Sequence, residues 1–174
     1  MATYGQTDAV AVELVTALNN RSSSFCGGDL GVSAERVFAR KIDISDISVI
    51  GEDVTVEVIP GDEMSDLTGL DFIYDDTYGC HILLLQNVAD TANGGLSEAQ
   101  IALLLRLRSE IIDWLSGSLL SCPDTVHPFS GAQIYAVRHG KEGIYDLEKL
   151  EQNNIFYSDI ILSYKAVGIR RKNS

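Results

Sequence analysis

The stretch Cys80-His81-Ile82-Leu83-Leu84-Leu85-Gln86-Asn87-Val88 decides the reading of the fold. It is a short, continuous apolar run with no polar alternation, the pattern of a strand buried on both faces. Its neighbours supply the other layers. Upstream, Val54-Thr55-Val56-Glu57-Val58 is the cleanest period-two alternation in the chain, opened by Gly51-Glu52-Asp53 and ended by Pro60-Gly61. Downstream, Asn93-Gly94-Gly95 breaks the chain before the strongest helix signal: Ser97 as cap, Gln100 as its capping-box partner, and Ile101, Leu104, Leu105, Ile111, Ile112 and Leu115 at helical spacing as far as Gly117. Arg108 interrupts that stripe, while Leu103, Leu107 and Trp114 add a second apolar flank.

Further out, Ala11, Leu14, Val15 and Leu18 predict a short helix over 7–19 with Thr7 or Asp8 at its start. Arg21 to Gly31 reads as a loop rich in small residues, and Glu35 to Ile44 as a strand with one wet face. Ala132 to His139 is a strand turning at Gly140-Lys141-Glu142-Gly143, and a short piece with Ile144, Tyr145, Leu147 and Leu150 follows. The last strand runs from Ile155 to Val167, with Phe156, Ile160, Leu162, Tyr164 and Ala166 on one face and Tyr157, Asp159, Ser163 and Lys165 on the other. The expected class is α+β: a single domain over 1–167, mainly antiparallel sheet packed against one long and one short helix, with a basic tail at 168–174.

Charge is the second strong signal. The 174 residues carry a formal net charge of −12, and residues 1–100 hold 17 acids against 4 bases. From Asp43 to Asp76 eleven carboxylates occur without a Lys or Arg. Gly61 to Gly79 is expected to be an acidic insertion loop, because Pro60-Gly61 closes the strand before it. Runs of like charge usually solvate; the functional reading is an acidic face turned to a partner or a passing polyanion, carried by Glu52, Asp53, Asp62, Glu63, Asp66, Asp71, Asp75 and Asp76. Such a polyanion has no general attraction for nucleic acid or anionic lipid. Arg170, Arg171 and Lys172 read as a solvated tail, or as a hook onto the acidic segment of an identical neighbour.

Signals for chemistry are weak. Cys26, Cys80 and Cys122 are too few and scattered for a disulfide framework, so free thiols and a reducing cytoplasm are expected. Neither a long apolar run nor a secretion signal is present, which predicts a soluble chain without membrane contact. Cys80-His81, Cys122 with His127, and Asp71 with Asp75 and Asp76 lack metal-site spacing, and adjacent strand residues point to opposite faces. Gly95-Leu96-Ser97-Glu98-Ala99 departs from a nucleophile elbow, and Gly27-Gly28-Asp29-Leu30-Gly31 lacks the ending of a phosphate-binding loop. No catalytic residue, cofactor or metal is expected.

The element order, together with the helix end Ile111-Ile112-Asp113-Trp114-Leu115 and the later Phe156-Tyr157-Ser158-Asp159-Ile160-Ile161-Leu162-Ser163-Tyr164, resembles the tail terminator (tail completion) proteins of tailed bacteriophages. The resemblance covers about Thr7 to Val167 and is one of order, size and texture. It implies an α+β virion protein, not an enzyme, assembled in the host cytoplasm. It also implies a homo-hexameric ring on the last ring of the tail tube, which stops tube growth and offers a docking surface to the head-tail connector or stopper. Genome DNA would pass such a ring without being specifically bound. The other readings are a different neck or tail protein (adaptor, stopper or connector) and a cellular protein-binding module.

Overall fold

The computed structural model describes residues 6–38, 53–67, 73–116, 119–122, 129–139 and 143–169. Helix α1 (Gln6–Asn20) is followed by a 3-10 segment (Ser22–Gly28), strands β1 (Val32–Arg36), β2 (Val54–Leu67) and β3 (Ile73–Asn87), helix α2 (Glu98–Ser116), strands β4 (Leu119–Cys122) and β5 (Phe129–His139), helix α3 (Leu147–Asn153) and strand β6 (Ile155–Ile169). The six strands form one mixed sheet in the order β1-β2-β3-β6-β5-β4. Among the described residues only the β1–β2 pair is parallel. The class is α+β, and the described residues include three α-helices, of which α2 is the longest.

The run read first lies at the centre. β3 is paired along both edges, to β2 and to β6, and from Ile82 to Gln86 its side chains are buried on both faces. Cys80, Ile82, Leu84 and Val88 join the main core with Val54, Val56 and Val58 of β2 and Phe156, Ile160 and Leu162 of β6. Val10, Ala11, Leu14 and Leu18 of α1 and Leu104, Leu107, Ile111 and Leu115 of α2 close that core from above. Each such aliphatic side chain contributes about 1.5–3 kcal/mol by leaving water. On the opposite face Leu83 and Leu85 pack with Ile155 and Tyr157. Tyr157 lies on the face opposite Phe156 and Ile160, as its position in the alternation predicts, and it is fully buried there, because the start of β6 lies against the most apolar part of β3.

Two strands run further than the sequence suggests. Most of the expected insertion loop at 61–79 is strand: Gly61–Leu67 continues β2 and Ile73–Gly79 begins β3, while residues 68–72 lie outside the described part. Pro60 fails to end β2 because the register shifts between Pro60 and Glu63, a bulge that absorbs the missing N–H. Gly61 is required there, since a Cβ would stand 3.0 Å from the Gly79 carbonyl carbon and oxygen. β6 likewise runs past Val167: Gly168 and Ile169, assigned to the tail, pair with Tyr74 and Ile73. β1 begins at Val32, three residues before the expected strand, and residues 39–44 of that expectation lie outside the described part. The expected loop at Arg21–Gly31 contains the 3-10 segment, which carries Cys26 at φ 52°. Its backbone N–H donates to Glu110 Oε2 of α2 at 2.7 Å, which holds the turn in place.

Candidate functional site

Three places gather polar groups. The first is a cleft of about 490 Å3 at the end of the sheet where β2 begins and β3 ends. Asp29, Asp53 and Asp90 line it with Gln86 and Gln100, and no Lys or Arg does so among the described residues. A second hollow, about 510 Å3, opens on the other side of Leu30-Gly31 and shares Asp53. Asp90 is occupied locally: its Oδ1 accepts from the N–H groups of Ala92 and Asn93, its Oδ2 from Asn93 Nδ2. Those bonds, led by the Asn93 side chain, hold its carboxyl below the usual range. Asp29 and Asp53 are exposed and therefore the carboxylates that a visiting cationic group would meet.

Gln100 shows how this cleft departs from the capping box. Its N–H donates to Ser97 Oγ at 3.4 Å, so Ser97 caps α2, but its side-chain amide turns to Gln86 Oε1 at 3.0 Å instead of reaching back. The Ser97 N–H is taken by the Val88 carbonyl, which leaves the amide free to shape the cleft wall. At α1 the helix starts at Gln6, so neither Thr7 nor Asp8 precedes it; Asp8 is instead ion-paired with Arg36 of β1.

The second place is the interior contact between α2 and β6. Arg108, which breaks the apolar stripe of α2, is buried, and its Nε donates to Ser158 Oγ at 2.8 Å. Ser158 is also buried, and its hydroxyl donates to the Ile144 carbonyl at 2.6 Å. Burial lowers the guanidinium pKa, and the nearby Asp159 charge offsets part of that. On the other face of β6, Asp159 Oδ1 lies 3.2 Å from His81 Nδ1. Only the break at Arg108 was legible beforehand; Ser158 and the His81–Asp159 pair join residues too distant in sequence for spacing to reveal.

The third place is the acidic run itself, which the fold divides. Asp53 stands exposed at the start of β2, and Asp66 lies 13 residues along the same strand, about 40 Å away at strand rise. Asp62, Glu63 and Asp66 belong to β2, Asp75 and Asp76 to β3; the register sets Asp66 opposite Asp75 and Ser65 opposite Asp76. Like charges at opposite ladder positions disfavour the pairing. Glu57, another member of the run, is fully buried. Of the eight acids, the described ones are thus spread over the start of β2, its far half and the first part of β3. Glu52, Asp71, Arg170, Arg171 and Lys172 lie outside the described residues.

Neither thiol is placed for chemistry. Cys26 and Cys80 are free and buried. Burial pushes the Cys80 thiol up to about 12 against an opposing Gly61 N–H, and burial, with the Glu110 charge, also raises Cys26. Cys80 faces the main core while His81 pairs on the other face, as alternation requires. Among the described residues no group of three or more His, Cys, Asp or Glu is arranged to hold a metal ion, and no helix is long and apolar enough to cross a membrane. No protein-family model and no curated protein matches the chain.

Proposed function

We propose that this chain is a structural protein of a tailed-bacteriophage virion. It forms a ring at the head-proximal end of the tail tube, ends tube growth there, and joins the tail to the head connector or stopper. The observation that carries this reading is the shape of the sheet. β2, β3 and β6 are 14, 15 and 15 residues long and stay paired with one another as far as Leu67–Tyr74 and Ile73–Ile169. Ordinary strands have about 5–6 residues, and β1 pairs with β2 only as far as Arg36–Val58. The remainder of β2 is an edge without a strand partner among the described residues, of the kind that neighbouring subunits use in a ring. The element order read from the sequence recurs in outline, except that most of the acidic loop is strand and that β4 and α3 are added to it.

The polar cleft favours a second reading, a module that binds a basic side chain of another protein through Asp29 and Asp53. The two readings separate in solution. Light scattering at physiological salt, alone and with tail-tube subunits, is expected to give a hexamer or a monomer that closes into a ring on tube ends. A monomer indifferent to tubes overturns the ring reading and leaves the binding module.

A further inference from the structure

Asn93 is the only asparagine of the chain that glycine follows. Such a pair is the least hindered place for a side-chain amide to react with its own backbone, because glycine puts no Cβ in the way and bends freely. The surroundings leave room for it. Thr91 to Gly95 are exposed, and a Cβ at Gly94 or Gly95 would meet nothing within 4 Å. Gly94 and Gly95 stand at φ 75° and 91°, in the left-handed region that glycine enters readily.

These residues close a turn between β3 and α2. The Asp90 N–H donates to the Gly95 carbonyl and the Gly94 N–H to the Asp90 carbonyl, each at 2.8 Å, and Ala89 bridges to Leu96. Next to the bridge the Ser97 N–H reaches back to the Val88 carbonyl at 2.9 Å, so the turn sets where α2 starts. Asp90 holds the turn from inside. Its Oδ1 accepts from the Ala92 and Asn93 N–H groups at 3.0 and 2.9 Å, and its Oδ2 from Asn93 Nδ2 at 3.0 Å. The Asn93 side chain is therefore tied back toward Asp90, while the backbone nitrogen that could attack it keeps its proton on the Asp90 carbonyl.

We infer that Asn93 is a site of self-modification, an asparagine that converts to aspartate and isoaspartate at a rate set by Asp90. When the turn opens, the Gly94 nitrogen attacks Asn93 Cγ. The new C–N bond closes a succinimide, the Cγ–Nδ2 bond breaks, and the amide leaves as ammonia with the proton that the Gly94 nitrogen gives up. Water then adds to either ring carbonyl and that C–N bond opens, leaving aspartate in an unchanged backbone or isoaspartate with the chain routed through Cγ. Water is the one co-reactant. Either product puts a carboxylate beside Asp90 in place of a donor, and like charges so close repel. The cleft wall to which Asp90 belongs gains a charge, and the joint that sets the start of α2 loosens. This chemistry needs neither a ring nor a bound basic side chain.

Full-length wild type, Asp90→Ala, Asp90→Asn and Asn93→Gln are incubated at mildly alkaline pH while ammonia release, isoaspartate and the mass of the peptide spanning 90–97 are followed. Conversion is expected at Asn93 ahead of every other asparagine and is absent there in Asn93→Gln. It is expected to run about tenfold faster in Asp90→Ala than in wild type, the factor for releasing one hydrogen bond to a charged group, with Asp90→Asn between them. Asp90→Asn keeps the side chain's shape and one acceptor for the turn, and it carries the test alone if Asp90→Ala loses the native circular dichroism spectrum. No acceleration in the folded Asp90 variants, or conversion led by another asparagine, overturns the assignment. The converted wild-type fraction, separated by anion exchange on its added charge, is expected to exchange the Ser97 amide faster than the parent; equal exchange overturns the loosening of the joint.

Discussion

Ser158→Ala is the substitution whose consequence follows most directly from the interior of this fold. The side chain is fully buried and shares its hydroxyl between two partners: it accepts from Arg108 Nε and donates to the Ile144 carbonyl. Alanine fits the same space but strands a charged donor and a carbonyl. A neutral hydrogen bond contributes about 1 kcal/mol and one to a charged group about 1.5–3, so the expected loss is about 3 kcal/mol. Equilibrium urea unfolding should then show a midpoint lower by roughly 1.5 M at a slope of about 2 kcal/mol/M. Arg108→Met removes the buried charge while leaving Ser158 its bond to Ile144, and the double variant should cost about 1–2 kcal/mol less than the two single losses combined. A midpoint shift below about 0.3 M, or strict additivity in the double variant, refutes the assignment of this hydroxyl as the link between α2, β6 and segment 143–146.

Two further expectations concern the joints of the fold. Asn154 ends α3 in the left-handed region (φ 56°), with its N–H on Leu150 and its carbonyl accepting from Val88; Asn154→Ala should cost about 1–2 kcal/mol, lowering the thermal midpoint by several degrees, whereas Asn154→Gly should leave it nearly unchanged. Glu110 is held below the usual carboxylate range, first by the Cys26 N–H and then by Arg106. A depressed carboxylate stabilises fully above its unfolded pKa of about 4.3 and loses that contribution as pH falls through the folded value. Glu110→Gln should therefore speed hydrogen exchange at the Cys26 amide at pH 7, and the difference from wild type should vanish at low pH.

Much of the fold was legible because the apolar pattern is strong where the core is deepest. Cys80–Val88 reads as doubly buried and is so; the stripes Ala11-Leu14-Leu18 and Leu104-Ile111-Leu115 face the core as their spacing demands. The misreadings fall where tertiary context outweighs local preference. Pro60-Gly61 looks like a terminator, yet on the outer strand beyond β1 a bulge accommodates the proline and the close Gly61–Gly79 approach uses the glycine. α3 was read only as a short piece with no assigned structure, since its seven residues carry one buried leucine, and the Asp146 cap that accepts the Lys149 N–H three residues on is too short a signal to mark a helix by itself. The candidate sites were less legible for a simple reason. Ser158 reaches Arg108 across 50 positions and His81 reaches Asp159 across 78, and a single sequence carries no record of such partners.

The acidic run gains a physical role once it is strand and not loop. Beyond Val58 the outer edge of β2 offers unpaired backbone groups among the described residues, and such an edge templates indiscriminate pairing unless something opposes it. Pro60, the bulge, and Asp62, Glu63 and Asp66 make that edge selective, leaving it to a partner of matching shape and charge, at the expense of setting Asp66 against Asp75. The bases missing from 43–76 are concentrated just before it, at Arg36, Arg40 and Lys41 around Phe38. Segregating the charge along the sequence in this way means that the acid-bearing edge of β2 disfavours another acidic edge and favours a basic partner segment.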